Sequence, residues 1–205
     1  MSNNSIHNDP RIKRTLNLIR DAFISLMDEK GFDQITVQDI TKRAEINRAT
    51  FYRHYQDKYD LLEKIVDGML NQFQSAFQLP SDFEVHHFVK DYDTPPDSFI
   101  RQFEHIANHF QFYKIMLGPN GLPGFSCRLE TIIRDSLYRR SMIAQPIDNQ
   151  VVIPREIIVR YVTSSHLGII MFWLENDMPY TPKYMATQLI RLHGFGSTYF
   201  FKDHA

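Results

Sequence analysis

Arg48, Ala49, Thr50, Tyr52, Arg53 and His54 follow closely in the stretch RATFYRH, with Phe51 and Tyr55 set i, i+4 among them. On a helix, Phe51 and Tyr55 share one face and can pack inward, leaving the other side chains to the remaining faces. Cations, a hydroxyl, a small methyl contact and a phenol are the groups that reach phosphate oxygens and base edges of nucleic acid. Thr36, upstream, adds a second hydroxyl. Lys58, downstream, adds an ammonium where the N–H groups of a starting helix already favour an anion.

To act together these groups must be held in one register, and the surrounding pattern provides for that. Val37, Ile40 and Ala44 recur at i, i+3 and i+7, lining one face of a short helix that Thr36 can cap through its hydroxyl. Ile46 can fill the space before a second helix over Arg48–Tyr55, for which Asn47 is the cap. Asp57 caps a third, with Leu61, Leu62 and Ile65 inward. Upstream, Ile12, Leu16, Ile19, Phe23 and Leu26 recur at steps of four and three, and Gly31 is a natural stop. Arg11, Lys13 and Arg14 cluster where that helix starts, either as a solvated face or as a phosphate clamp. Two short helices joined by a tight turn form a helix-turn-helix, which can lay its second helix in the major groove of DNA.

Thr36, Val37, Asp39, Ile40, Ala44, Ile46, Thr50, Phe51, Tyr52, His54, Tyr55, Lys58, Leu61 and Leu62, taken in one register, resemble the DNA-binding signature of the TetR family of bacterial transcriptional regulators. The resemblance runs from residue 11 to about 65. It implies base-side contacts by Arg48, Ala49 and Thr50, and phosphate contacts by Thr36, Tyr52, His54 and Lys58. One position departs. The family usually carries glycine after the alanine of the turn, where this chain has Glu45. Glycine takes a left-handed conformation without steric cost, so Glu45 is expected to strain the turn and to set a negative charge near DNA.

With 205 residues, 43% of them hydrophobic, the chain can bury a substantial core in one or two small domains. A formal net charge of −1 means that attraction to DNA must come from a local patch rather than from a whole-protein field. Cys127 is the lone cysteine and cannot form an intrachain disulfide; a buried structural thiol is expected. The opening MSNNSIHNDP lacks the apolar centre of a signal peptide, and residues 1–9 read as a disordered arm. The most apolar stretch, Ile157–Leu174, is interrupted by Arg160 and His166, which reads as a buried helix rather than a membrane span. These features together read as a cytoplasmic protein with no membrane partner.

The rest of the chain keeps the helical period, and no stretch alternates as a strand would. A helix from Asp57 is expected to reach about Leu79, before Pro80. Residues 80–97 are the least regular, with a helical turn at Glu84–Lys90. Pro96–Leu117 reads as a helix that can break near Asn108–Gln111, followed by the loop GPNGLPG. Helices are expected over Phe125–Ala144, over 155 to about 176, and from Thr181 or Pro182 to Leu192 or beyond. The fold class is therefore all-α: a helix-turn-helix DNA-binding domain over 10–56, then a helical effector-binding and dimerisation domain over 57–205. GIIMFWLENDMPYTPKYMATQLIRL, residues 168–192, also resembles the closing helix pair of one TetR subgroup.

Within that body, Met69, Phe73, Phe103, Phe110, Tyr113, Tyr138 and His166 are candidates to line an effector cavity, although any one of them alone reads as ordinary core. Ile158, Val162, Ile169, Phe172, Trp173, Leu189 and Leu192 make the last two helices apolar on several sides, and Phe195 and Tyr199–Phe201 continue that surface. TetR-like proteins usually pair through such helices, so these residues are the expected homodimer interface. His105 and His109 have a metal-compatible i, i+4 spacing, but no acid or cysteine completes a site; His86 and His87 point to different faces. No nucleophile elbow, phosphate loop, dinucleotide fingerprint or zinc-protease motif is present, so neither cofactor nor catalysis is expected. The resemblance implies a regulator, read as a repressor, with a double-stranded palindromic operator and an unknown small-molecule effector that alters the spacing of its reading heads. Two other classes stay open: a co-activator on the same fold that works through a protein partner, and a small helical enzyme.

Overall fold

The computed structural model describes residues 9–78, 93–119, 121–144 and 153–198, without the side chains of 138–144, 155 and 194–198. The expected N-terminal arm (save Asp9), the turn at Glu84–Lys90 with His86 and His87, and Tyr199–Phe201 lie outside the described residues. Those described form helices without strands, and fall into two compact units. One takes in the chain to Met69 together with Ile115–Pro123; the other takes in Leu70–Lys114 and the chain from Gly124 onward.

In the first unit, α1 (Pro10–Lys30), α2 (Val37–Arg43), α3 (Arg48–His54) and the start of α4 (Lys58–Ala76) are each begun by a local hydrogen bond. Asp9 accepts from the Arg11 N–H, and Pro10 occupies a first-turn position where its missing N–H costs nothing. Thr36 and Asp39 form a reciprocal capping box, Asn47 accepts from Thr50 N at 2.7 Å, and Asp57 accepts from Tyr59 N and Asp60 N. Gly31 stops α1 at φ 71°. The apolar stripe of α1 delivers Ile19, Phe23 and Met27 to a core that also buries Ile40, Phe51 and Leu61. At the surface, Arg43 on α2 holds both carboxylate oxygens of Glu29 on α1, at 2.7 and 2.8 Å.

In the second unit, α5 (Asp97–Asn108) packs on α9 (Pro182–Thr198), and α7 (Phe125–Ala144) packs on α8 (Arg155–Glu175). The expected break falls at His109, whose ψ of 30° ends α5 before α6 (Phe110–Leu117). α4 stops at Ala76, short of Leu79, as the N–H of Phe77 turns to the carbonyls of both Phe73 and Gln74. By length and composition α8 is apolar enough to cross a membrane, yet it buries Val159, Thr163, His166, Ile170 and Trp173 in the protein and pairs Arg160 with Glu130. Its exit is sharp. Asp177 and Met178 both take positive φ, Met178 N donates to Trp173 O, and the Trp173 indole N–H donates to Tyr180 O at 3.0 Å. Cys127 is exposed on the first turn of α7, contrary to the buried thiol expected, because Phe125 and Leu129 take the inward positions.

Candidate nucleic-acid interface and a buried polar cluster

α3 is short, and its orientation rests on what it buries. Phe51 is fully buried and Tyr55, just past the helix end, nearly so; their rings lie 5.5 Å apart. With that side fixed inward, Arg48, Ala49, Tyr52 and Arg53 are exposed, while Thr50 and His54 are half-buried. Arg48 lies over the Tyr52 ring and donates to its hydroxyl at 3.3 Å, so cation and phenol stand as a pair at the surface. Lys64 on α4 donates to the His54 carbonyl, closing the C-terminal end of α3.

Two of the expected phosphate ligands are engaged within the protein. The Thr36 hydroxyl donates to Asp39 at 2.7 Å as part of the capping box. Lys58 departs further from the expectation. Its ammonium donates to the carbonyls of Phe32, Asp33 and Ile35 at 2.9 to 3.1 Å and lies over the Phe32 ring. An ammonium has three hydrogens, so in this arrangement Lys58 holds the loop after α1 and has none left for a phosphate. Asp39 is held well below the usual carboxylate range, by the hydrogen bond from Thr36 first and by Lys30 next. Glu45 adopts φ 54°, the left-handed conformation anticipated for that position, and is exposed.

The expected cavity residues separate into groups. Met69 belongs to the first unit and the others to the second. Phe73 lies 6.2 Å from both His105 and Tyr113, and His105 Nε2 hydrogen-bonds the Tyr113 hydroxyl at 2.9 Å. Burial pushes that phenol far up from its ordinary pKa. Phe103 stands elsewhere in that unit's pattern, stacked on His166 at 6.1 Å and edge-on to Trp173 at 5.3 Å. Phe110 is half-buried, and the Tyr138 side chain is outside the described residues.

Three residues missed at the level of sequence lie on the three helices that meet at His166, α5, α8 and α9. Gln102 and Thr163 are fully buried, and His193 has its Nε2 shut off from solvent. Burial pushes His193 down to about 4. The signal was present: each is a polar residue set within an apolar stripe, Gln102 beside Phe103, Thr163 one turn before His166, His193 one turn after Leu189.

The expected interface residues also divide. Phe172 and Leu192 are exposed, and Ile158, Val162 and Ile169 are half-buried. Trp173 and Leu189 are instead core residues with no exposed surface. A helix apolar on several sides must spend one of them on its own unit, and Trp173 faces Phe103 on α5.

Comparison with known proteins matches both parts of the chain. Residues 19–65 match the model for bacterial regulatory proteins of the tetR family, and residues 93–193 match the model for a transcriptional regulator C-terminal region carrying the TetR name. The HTH-type transcriptional regulator YxbF of Bacillus subtilis is 23% identical over 178 residues, covering 85% of this chain and 43% of that one. The biofilm operon negative transcriptional regulator IcaR of Staphylococcus epidermidis is 40% identical over 55 residues, covering 27% of this chain and 30% of that one. The matched stretch thus spans less than half the length of these relatives. Among solved structures, the regulator FadR from Bacillus subtilis in complex with stearoyl-CoA aligns with a TM-score of 0.57 at 16% identity, over 87% of this chain and 97% of that one. With family models matched to the helix-turn-helix and to the helical body alike, the chain belongs to the TetR family of bacterial transcriptional regulators.

Proposed function

We propose that this regulator is a ligand-responsive repressor that binds a palindromic operator as a homodimer. The observation that carries the reading is α3: a helix capped by Asn47, anchored by buried Phe51, and presenting Arg48, Ala49, Tyr52 and Arg53 outward. Pairing two copies about a two-fold axis supplies two such helices and calls for two matching half-sites. Exposed Phe172 and Leu192 on α8 and α9, with half-buried Ile158, Val162 and Ile169, favour pairing through those helices. Repression is favoured by the relative named as a negative regulator, and a small-molecule effector by the fold neighbour solved with stearoyl-CoA. The effector shifts the DNA-binding equilibrium only by its differential affinity for the two states, and α4 contributes residues to both units.

The deciding experiment is genomic DNA selection with the purified chain, followed by binding titrations at two salt concentrations. An enriched palindrome whose affinity falls steeply with salt is the expected result. A folded, dimeric chain that enriches nothing and forms a stable hetero-complex instead would replace the repressor with a co-activator acting through a protein partner.

A further inference from the structure

Three side chains on three helices of the second unit carry polar atoms shut off from solvent with no hydrogen-bond partner among the described residues: Gln102 on α5 through both amide atoms, Thr163 on α8 through its hydroxyl, and His193 on α9 through Nε2. A native core holds few such groups, because each has given up water without replacement. His166 ties them to one neighbourhood. It sits one turn beyond Thr163, its ring centroid is 6.2 Å from that of His193, and it stacks on Phe99 and Phe103, which flank Gln102. Phe77 meets the same ring edge-on at 5.8 Å. The cluster thus offers an amide donor and acceptor, a hydroxyl and an imidazole nitrogen beside aromatic walls, and no group among these carries a fixed charge. Arg101, Arg160 and Arg191, on the same three helices, direct their guanidinium groups to the Gln78 carbonyl, Glu130 and Asp93.

We infer that this cluster is the effector-recognition site, and that its ligand is a small neutral molecule with a flat apolar portion and one group that both donates and accepts hydrogen bonds. The assignment rests on the ligand-responsive reading above and names the class of ligand. An anion would find no fixed cation among these residues to replace its water, and a cation no carboxylate; burial also keeps His193 neutral near pH 7. A neutral amide or alcohol would satisfy groups that are otherwise unmet, and the aromatic rings would cover its apolar part.

The test uses the full chain with benzamide as the probe, and with benzoate and toluene as its anionic and apolar counterparts of similar shape. Titration calorimetry near pH 7.5 should show saturable benzamide binding at millimolar concentration, and binding of the other two weaker by about tenfold or more. Thr163→Val and Gln102→Leu should each weaken benzamide by about tenfold. Thr163→Val keeps the side-chain shape and removes a buried hydroxyl, so it keeps the test alive if the other change disturbs folding. Benzamide binding that is absent, equalled by benzoate, or unchanged in the variants overturns the assignment. Release of the selected operator by a cellular metabolite extract is measured in parallel. If the extract releases DNA although benzamide fails, this site assignment falls and the ligand-responsive reading stands; if no extract releases it, both fall.

Discussion

Glu45 holds a left-handed backbone at an exposed position. A Cβ in that region crowds the following carbonyl, at a cost of about 1 kcal/mol. Glu45→Gly should therefore raise the thermal midpoint modestly, and it should also strengthen operator binding by removing a negative charge near the reading helix. A midpoint that stays level or drops in a melting curve would mean that the turn tolerates glutamate without strain. His193 makes a second residue-level prediction, in pH. Its folded pKa is pushed down to about 4 from an ordinary 6.5, so the unfolded chain takes up a proton in that window and the folded one does not. The stability this confers is complete above pH 6.5 and is lost as pH falls toward 4. Melting curves across that range should slope downward with acid, and His193→Leu should flatten them. Asp39, held below 3.8, adds its own loss only at more acid pH.

Among the elements, the starts and stops of helices were legible, because capping is settled within a few residues. Thr36, Asn47, Asp57 and Gly31 could each be assigned from their neighbours alone, and each occupies its expected place. Lys58 could not be assigned in that way. Its partners lie 23 to 26 residues back, in a loop whose path depends on the folded packing of α1. The same holds for Gln102, Thr163 and His193: one stripe gives each as an oddity, and only folding brings the three stripes together. Two mutations test the element scale. Asn47→Ala removes the cap of α3 and should cost about 1 kcal/mol, with Asn47→Asp preserving most of it; chemical denaturation measures both. Lys58→Met should lower stability while leaving the salt dependence of DNA binding nearly unchanged. If the salt slope instead falls by about one, Lys58 is a phosphate ligand after all.

For the whole molecule, all-α architecture was readable from periodicity, but the allotment of apolar faces was not. An apolar-all-round helix such as α8 does not say which side serves its own core and which a second copy. Trp173 went to the core and Phe172, its neighbour in sequence, to the surface. If copies pair through α8 and α9, Phe172→Asp combined with Leu192→Asp should yield a folded monomer in sedimentation velocity, with half-site affinity only. A variant that sediments like the parent would move the pairing surface elsewhere.

Trp173 is the one tryptophan in the chain, and it is fully buried in the second unit with its indole N–H bonded to Tyr180 O. Its emission consequently reports on that unit alone, as a built-in optical probe, while circular dichroism sums the helices of both. Following one denaturation by the two signals separates a single cooperative transition, where the curves coincide, from two, where the fluorescence midpoint stands apart.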